Sequence, residues 1–194
     1  MEKVRIWCGG EDALPTVYMH SVAGDGHCVW EACRRIGCPD FNLVSIYDFD
    51  FDGDLTPWPA QGVRKRQPPF KGNAKSHLAE MLDRIMPEAE VLLPAKPLYN
   101  ALAGYSLAGL FALWSVWQTD RFTRLACGSA SFWYPGFLEY AVSHPMVRQP
   151  DFVSLSLGDN ESDTRHPVMS QVGECTDKVL ELLTERNIPY CFEI

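Results

Sequence analysis

A serine flanked by small residues two positions to either side, Gly104-Tyr105-Ser106-Leu107-Ala108, with Gly109 following, stands between a stretch of strand length and a helix. The stretch before it is Tyr99-Asn100-Ala101-Leu102-Ala103, and Leu110-Phe111-Ala112-Leu113-Trp114 opens the helix. A sharp strand-to-helix turn of this kind holds serine at strained φ and ψ and exposes its hydroxyl for nucleophilic attack; larger neighbours would collide there. Ala108 departs from Gly at the last position of the pattern, but as the next smallest residue it keeps most of the steric logic. The competing account is a serine that caps the helix, since a hydroxyl at a helix start satisfies orphan N–H groups.

An acyl-transfer serine needs hydrogen-bond donors for the developing oxyanion. The backbone N–H of Leu107, at the N-terminus of the helix, supplies one. The other is expected in the turn after the earlier central strand Thr16–His20, from Ser21 or Val22, with Gly24 and Gly26 giving that turn freedom to aim it. An acid is expected after Phe152–Leu157, where Asp159, Glu161 and Asp163 follow Gly158. Glu161 is the first choice, Asp159 the second and Asp163 the third. Asp and Asn in such a loop also make turns and cap helices, which is the competing account.

The base is harder to place among the five histidines. His20 ends the strand expected beside the nucleophile's strand, and reads more simply as a structural residue beneath the oxyanion turn. His166 has the chain order serine–acid–histidine, yet lies on the same loop as Glu161. His27, His77 and His144 read as surface or helix-cap residues. Without a base, a serine hydroxyl keeps a high pKa and is a poor nucleophile.

Positioning these groups requires strands and helices in alternation. Strand-length apolar runs occur at Val4–Cys8, Thr16–His20, Asn42–Tyr47, Tyr99–Gly104, Arg124–Gly128, Phe152–Leu157 and from Pro189 onward. Helical patterns occupy Val29–Ile36, Asn73–Leu93, Leu107–Gln118 and Val168–Arg186. In the second, Leu78, Met81, Leu82, Ile85 and Met86 recur at three- and four-residue spacing, the mark of one buried face; Asn73 is a cap candidate and Pro94 ends the pattern. The alternation predicts an α/β fold with a mostly parallel central sheet and helices on both faces. The first two strands are joined by a short Gly9–Pro15 link that lets them pair antiparallel at one edge. The irregular region from Asp48 to Gly72, after a strand's carboxyl end, is expected to overhang the ligand crevice.

No internal repeat or linker divides the chain, so one domain over residues 1–194, without a separate cap domain, is expected. Apolar residues make up 46% and charged residues 22%, which disfavours disorder. A net charge of −8 argues against nucleic acid, whose affinity rests on Lys and Arg at phosphates. The basic run Arg64-Lys65-Arg66 reads as a solvated loop. Seven cysteines, with no Cys-x-x-Cys pair, give neither a disulfide framework nor a metal site. Cys28, Cys33 and Cys38 recur every five residues, about 140° apart on a helix, which spreads them around it. Reduced thiols in a cytoplasmic protein are expected, with no signal peptide and no membrane partner.

Three motifs, Gly104–Leu113, Ser129-Ala130-Ser131-Phe132-Trp133-Tyr134 and Leu155-Ser156-Leu157-Gly158-Asp159-Asn160-Glu161, resemble the putative esterase family of α/β-hydrolases, which is similar to enterochelin esterases and the esterase D group. The similarity runs from about Val17 to Ile194, with the motifs in the family's order. It implies a serine hydrolase of esters or thioesters with no cofactor and a small-molecule ester as substrate. By that resemblance Ser106 matches the nucleophile, Leu107 an oxyanion donor and Glu161 the acid. Phe132-Trp133-Tyr134 matches an aromatic segment beside the active site, and Asp54-Leu55-Thr56-Pro57-Trp58 a segment bordering the substrate crevice; Trp58, Trp133 and Tyr134 are the expected substrate contacts. The family's histidine follows the last strand in a Gly-x-His loop. Here that strand is Pro189–Ile194, so the C-terminal end is expected to be incomplete, lacking that histidine and a terminal helix over one side of the sheet. Exposed apolar surface there would favour homo-oligomers. The alternative is a catalytically silent domain of the same fold that binds a ligand or a protein.

Overall fold

Asn42–Tyr47 reads Asn-Leu-Val-Ser-Ile-Tyr, a run rich in strand-forming residues and too short for a helix. In the computed structural model, which describes residues 3–63 and 66–194, it forms strand β3 and all but its last residue are buried. Of the basic run, Arg64 and Lys65 lie outside the described residues. The remaining strands are β1 (Lys3–Trp7), β2 (Thr16–His20), β4 (Asn100–Tyr105), β5 (Arg124–Gly128), β6 (Phe152–Ser156) and β7 (Tyr190–Glu193). The helices are α1 (His27–Arg35), α2 (Phe51–Asp54), α3 (Ala74–Glu80), α4 (Met86–Leu92), α5 (Leu107–Trp114), α6 (Phe137–Ser143) and α7 (Val172–Glu185).

The strands form one sheet in the order β1-β3-β2-β4-β5-β6-β7, parallel throughout except at β1. One expectation is corrected: β1 does not pair with β2. It runs antiparallel to β3, with Arg5 opposite Ser45, while β2 lies between β3 and β4 as a parallel strand. The crossover through α1 carries the chain from β2 to β3 on the outer side, and β1 closes the edge that β3 leaves.

Register aligns Val44, Tyr18, Leu102, Leu125 and Val153 in a row across five strands, each at most 3% exposed. Against this face pack α3 and α5, whose His77 and Phe111 meet His20. All eight residues of α5 are buried. Residues Ala74–Leu92 form one helical run with a π-helical turn at Met81–Ile85. Pro87 follows that turn; it has no N–H to offer the carbonyl of Asp83 four residues earlier, so the regular ladder cannot pass through. Asn73 makes no side-chain cap bond; its own N–H donates to the Gly53 carbonyl. Leu93, before Pro94, is extended, as a residue preceding proline prefers.

The other face is covered unequally. There α1 sits over β2 and β3, where a Cβ on Gly26 would stand 2.5 Å from Ser45 Oγ, and Trp30 stacks on Trp7 of β1. Beyond α1, no helix among the described residues covers β4 to β6. Ala103, Tyr105, Ala126, Ser154 and Ser156 line an open groove of about 530 Å³ there, and Tyr105 is 61% exposed.

Leu102 sits at the centre of the covered row, so Leu102→Ala should cost about 2–5 kcal/mol, the lost transfer energy plus an unfilled cavity. Urea unfolding of the two proteins measures it; a cost below about 1 kcal/mol would contradict a core centred on β4.

Candidate functional site

The turn between β4 and α5 is tight because Gly104 has no side chain. A Cβ on Gly104 would stand 2.3 Å from the backbone carbonyl of Ala108, and one on Gly109 would stand 2.8 Å from Ala130 Cβ. The glycines therefore let α5 start directly against the sheet. Ser106 at the apex has φ 59° and ψ −119°, a conformation strained for any residue with a side chain. Neighbouring backbone holds it there: Ser106 N–H donates to Gly128 O at 2.9 Å, and Ser131 N–H donates to Ser106 O at 3.0 Å. No side-chain cap bond is made by Ser106 to α5, so the capping account fails.

The Ser106 side chain lines a cavity of about 630 Å³ together with Leu107, Ser131, Trp133, Glu161 and Asp52. Its Oγ lies 3.2 Å from Ser131 Oγ. Leu107 is the first residue of α5, so its N–H has no acceptor within the helix and stands next to Ser106 with the helix dipole behind it. Across the cavity Glu161 Oε1 accepts from Ser129 Oγ at 2.5 Å and from Gly158 N–H at 2.9 Å. Ser129 is itself held at φ 41°, and its N–H donates to Ser156 O. Glu161 thus has one oxygen anchored, and its other oxygen makes no hydrogen bond among the described residues. Of the three expected carboxylates only Glu161 lines this cavity; Asp159 accepts from Asn160 and, like Asp163, is exposed.

Other expectations are corrected. Ser21 N–H is committed to the sheet, donating to Ile46 O at 2.8 Å, which extends the β2–β3 ladder by one residue. Ser21 and Val22 both line the open groove on the other side of the sheet, and neither lines the Ser106 cavity. Trp58 and Tyr134 form a clamp behind the cavity instead of its wall. Tyr134 OH donates to Trp58 O at 2.5 Å, Trp58 Nε1–H donates to Pro135 O at 2.8 Å, and the Trp58 ring packs on Tyr140. Burial pushes the Tyr134 phenol up to about 12. Of the three expected aromatics, Trp133 alone lines the cavity; Phe51 and Phe70 join it from the segment that was expected to overhang the crevice.

Asp52, Ser129 and Ser131 escaped sequence reasoning as site residues. Ser129 and Ser131 stand within a motif quoted for its aromatics, and nothing in their spacing announces bonds to Glu161 and Ser106. Asp52 sits on α2, a four-residue helix capped by Asp50 inside a stretch that reads as irregular.

Among the described residues no histidine hydrogen-bonds to Ser106 or Glu161. His166 is fully engaged elsewhere: its Nε2–H donates to Val63 O at 2.8 Å, and its Nδ1 accepts from the N–H groups of Val168 and Met169. It therefore ties the overhanging segment to the loop after Glu161. His144 stacks on Tyr140 and His27 lies near Trp7. His20 and His77 are both buried and share a single hydrogen bond, Nε2 to Nε2 at 2.7 Å, between the rings of Phe49 and Phe111. Burial, and then the neighbouring His77, hold the His20 pKa well below its ordinary value. Cys127 is equally removed from chemistry, its thiol pushed up to about 12 by burial. Among the described residues no cluster of three or more metal-ligating side chains occurs.

No family model matches the chain. A curated protein described as "Uncharacterized protein YbbA" from Bacillus subtilis (strain 168) is 22% identical over 152 residues, or 77% of this chain; the match spans only 61% of that protein's length. Solved structures match more completely. An IroE-like serine hydrolase from Shewanella oneidensis superposes with a TM-score of 0.77 at 19% identity, covering 99% of this chain and 67% of its own. The siderophore hydrolase EstA from Aspergillus nidulans gives 0.76 at 18% identity, covering 100% and 82%. The enterobactin esterase FES from Shigella flexneri gives 0.67 at 17% identity, covering 99% and 49%. The fold is that of the α/β serine hydrolases.

The His20–His77 pair makes stability depend on pH. Unfolded, His20 titrates near about 6.5, whereas the folded state keeps it neutral to lower pH, so stability present above about pH 6.5 is lost as pH falls below it. Thermal unfolding should show the midpoint dropping between about pH 7.5 and about pH 5.5, with a shallower drop in His20→Leu. Equal slopes for both proteins would exclude the pair as the source.

Proposed function

We propose that this chain is a serine hydrolase of carboxylic or siderophore-like esters, with Ser106 as its nucleophile. One observation carries the reading: Ser106 stands at a strained strand-to-helix apex, with its hydroxyl beside the cavity that Glu161 also lines. In the reaction Ser106 Oγ attacks the ester carbonyl and its proton passes to a base. The carbonyl oxygen takes up negative charge against the Leu107 N–H, and collapse of the tetrahedral adduct expels the alcohol. Water then attacks the acyl-enzyme and releases the acid. Glu161, anchored through one oxygen by Ser129 and Gly158, has the role of orienting and stabilising a protonated base. No cofactor enters this scheme.

The substrate class rests on shape and on likeness. A cavity of about 630 Å³ suits a ligand of moderate size. Phe51 and Trp133 offer flat apolar walls to an aryl or acyl group, and EstA and FES, which share the fold, are described as acting on siderophores or enterobactin. Seven free cysteines suit a reducing compartment, which supports the cytoplasm as its location. No described helix is long and apolar enough to cross a membrane. The open groove over β4 to β6 supports self-association as a further part of the reading.

A second reading has its own observation: among the described residues neither Ser106 nor Glu161 hydrogen-bonds to a histidine. On that reading the chain is a catalytically silent member of the fold that binds a ligand or a protein. The two separate cleanly with a fluorophosphonate probe, applied with and without added imidazole as an external base. Hydrolase chemistry predicts labelling that Ser106→Ala abolishes and that imidazole accelerates, because a base that takes up the serine proton assists the attack. Absence of labelling under both conditions would leave the silent fold.

A further inference from the structure

Helix α1 ends in a turn that brings two cysteines together. Gly37, at φ 73°, lets the chain reverse; its N–H donates to Arg34 O at 3.2 Å, and Cys38 N–H donates to Cys33 O at 3.0 Å. This pair of crossed bonds is a Schellman ending, which sets the side chain three residues before the cap against that of the residue two past it. In most proteins those two positions meet through apolar side chains. Here they are Cys33 and Cys38.

The side chains follow the backbone. Cys33 and Cys38 both line one small recess with Trp30, Pro39 and Phe41. Both are partly accessible, unlike Cys127 and Cys175, which are buried. The 3.0 Å backbone bond keeps the two Cα atoms within the limit of about 7 Å that a disulfide tolerates. Spacing along the helix alone points the opposite way, because five residues place side chains about 140° apart. The turn at Gly37 reverses that geometry.

We propose that Cys33 and Cys38 are a modification site for low-molecular-weight disulfides such as oxidised glutathione, and that they close into a reversible intramolecular disulfide locking the end of α1. One cysteine loses its proton and its thiolate attacks the reagent's disulfide, forming a mixed disulfide and expelling one glutathione thiolate. The second cysteine then loses its proton, attacks the protein sulfur of that mixed disulfide and expels the other glutathione. Two protein thiols are oxidised, one glutathione disulfide is reduced to two thiols, and the two protons end on the departing thiolates. Burial and the neighbouring Cys38 raise the Cys33 pKa, so closure quickens as the solution becomes more alkaline.

Incubation with stepped ratios of oxidised to reduced glutathione, then N-ethylmaleimide and trypsin, tests this directly. Arg34 and Arg35 lie between the cysteines, so digestion leaves two peptides joined only by the new bond. The expected result is joined peptides that together lack two hydrogens and separate on reduction. Cys33→Ser and Cys38→Ser should abolish them, while Cys8→Ser and Cys28→Ser leave them unchanged. The oxidised protein should melt about 2–6 °C higher, as a short closed loop allows. A glutathione adduct that persists on either cysteine without closing, or a bond from either to another cysteine, would overturn the site. A closed bond with no rise in melting temperature would overturn the lock.

Discussion

The approach of α5 to the sheet governs the rest of the structure. Gly104 and Gly109 remove two side chains at the points where Ala108 and Ala130 come closest. That contact leaves only Ser106 between the end of the strand and the start of the helix and forces it into a backbone conformation other residues avoid. The strain is local and is offset by wide burial, since every residue of α5 lies in the core beneath β4 and β5. Each fully buried apolar side chain stabilises the fold by about 1.5–3 kcal/mol, against a strain of about 1–3 kcal/mol at one residue. The fold therefore tolerates the strained serine readily, and the serine depends on the fold.

The same logic explains which features were legible in the chain. The strand, turn and helix around Ser106 are contiguous, and their steric needs are written in adjacent small residues. Thr16–His20, Asn42–Tyr47 and Arg124–Gly128 form strands with the bounds their apolar runs suggest. Partner choice is another matter. The short link between β1 and β2 favours a local pairing, but the chain gains more from threading β2 into the parallel core and spending β1 on the free edge of β3. Helices α2 and α6 carry too few residues to show a period, and α2 brings Asp52 to the cavity unannounced.

Site residues divide along a similar line. Glu161 stands out among three carboxylates only through bonds to Ser129 and Gly158, one of them to a residue far away in the chain. Trp58 and Tyr134 were expected on the cavity wall because large aromatics often meet ligands. Their polar tips explain where they went: an indole N–H and a phenol need buried partners, and they find them in Pro135 O and Trp58 O. Phe70, with no polar tip to satisfy, is left to pack one side on Tyr134 and turn to the cavity.

The histidines show how far burial decides chemistry. His20 lies on the strand beside that of Ser106, a position that invites a catalytic role. Yet its ring faces the covered side of the sheet, where His77, Phe49 and Phe111 enclose it and burial favours the neutral form. A general base must take up a proton in the transition state, and a site that penalises the imidazolium works against that step. His166 fails for a different reason: both ring nitrogens already serve the backbone, so it can accept a proton only by releasing the amides of Val168 and Met169. Both therefore act as struts. Neither ring lines the cavity shared by Ser106 and Glu161.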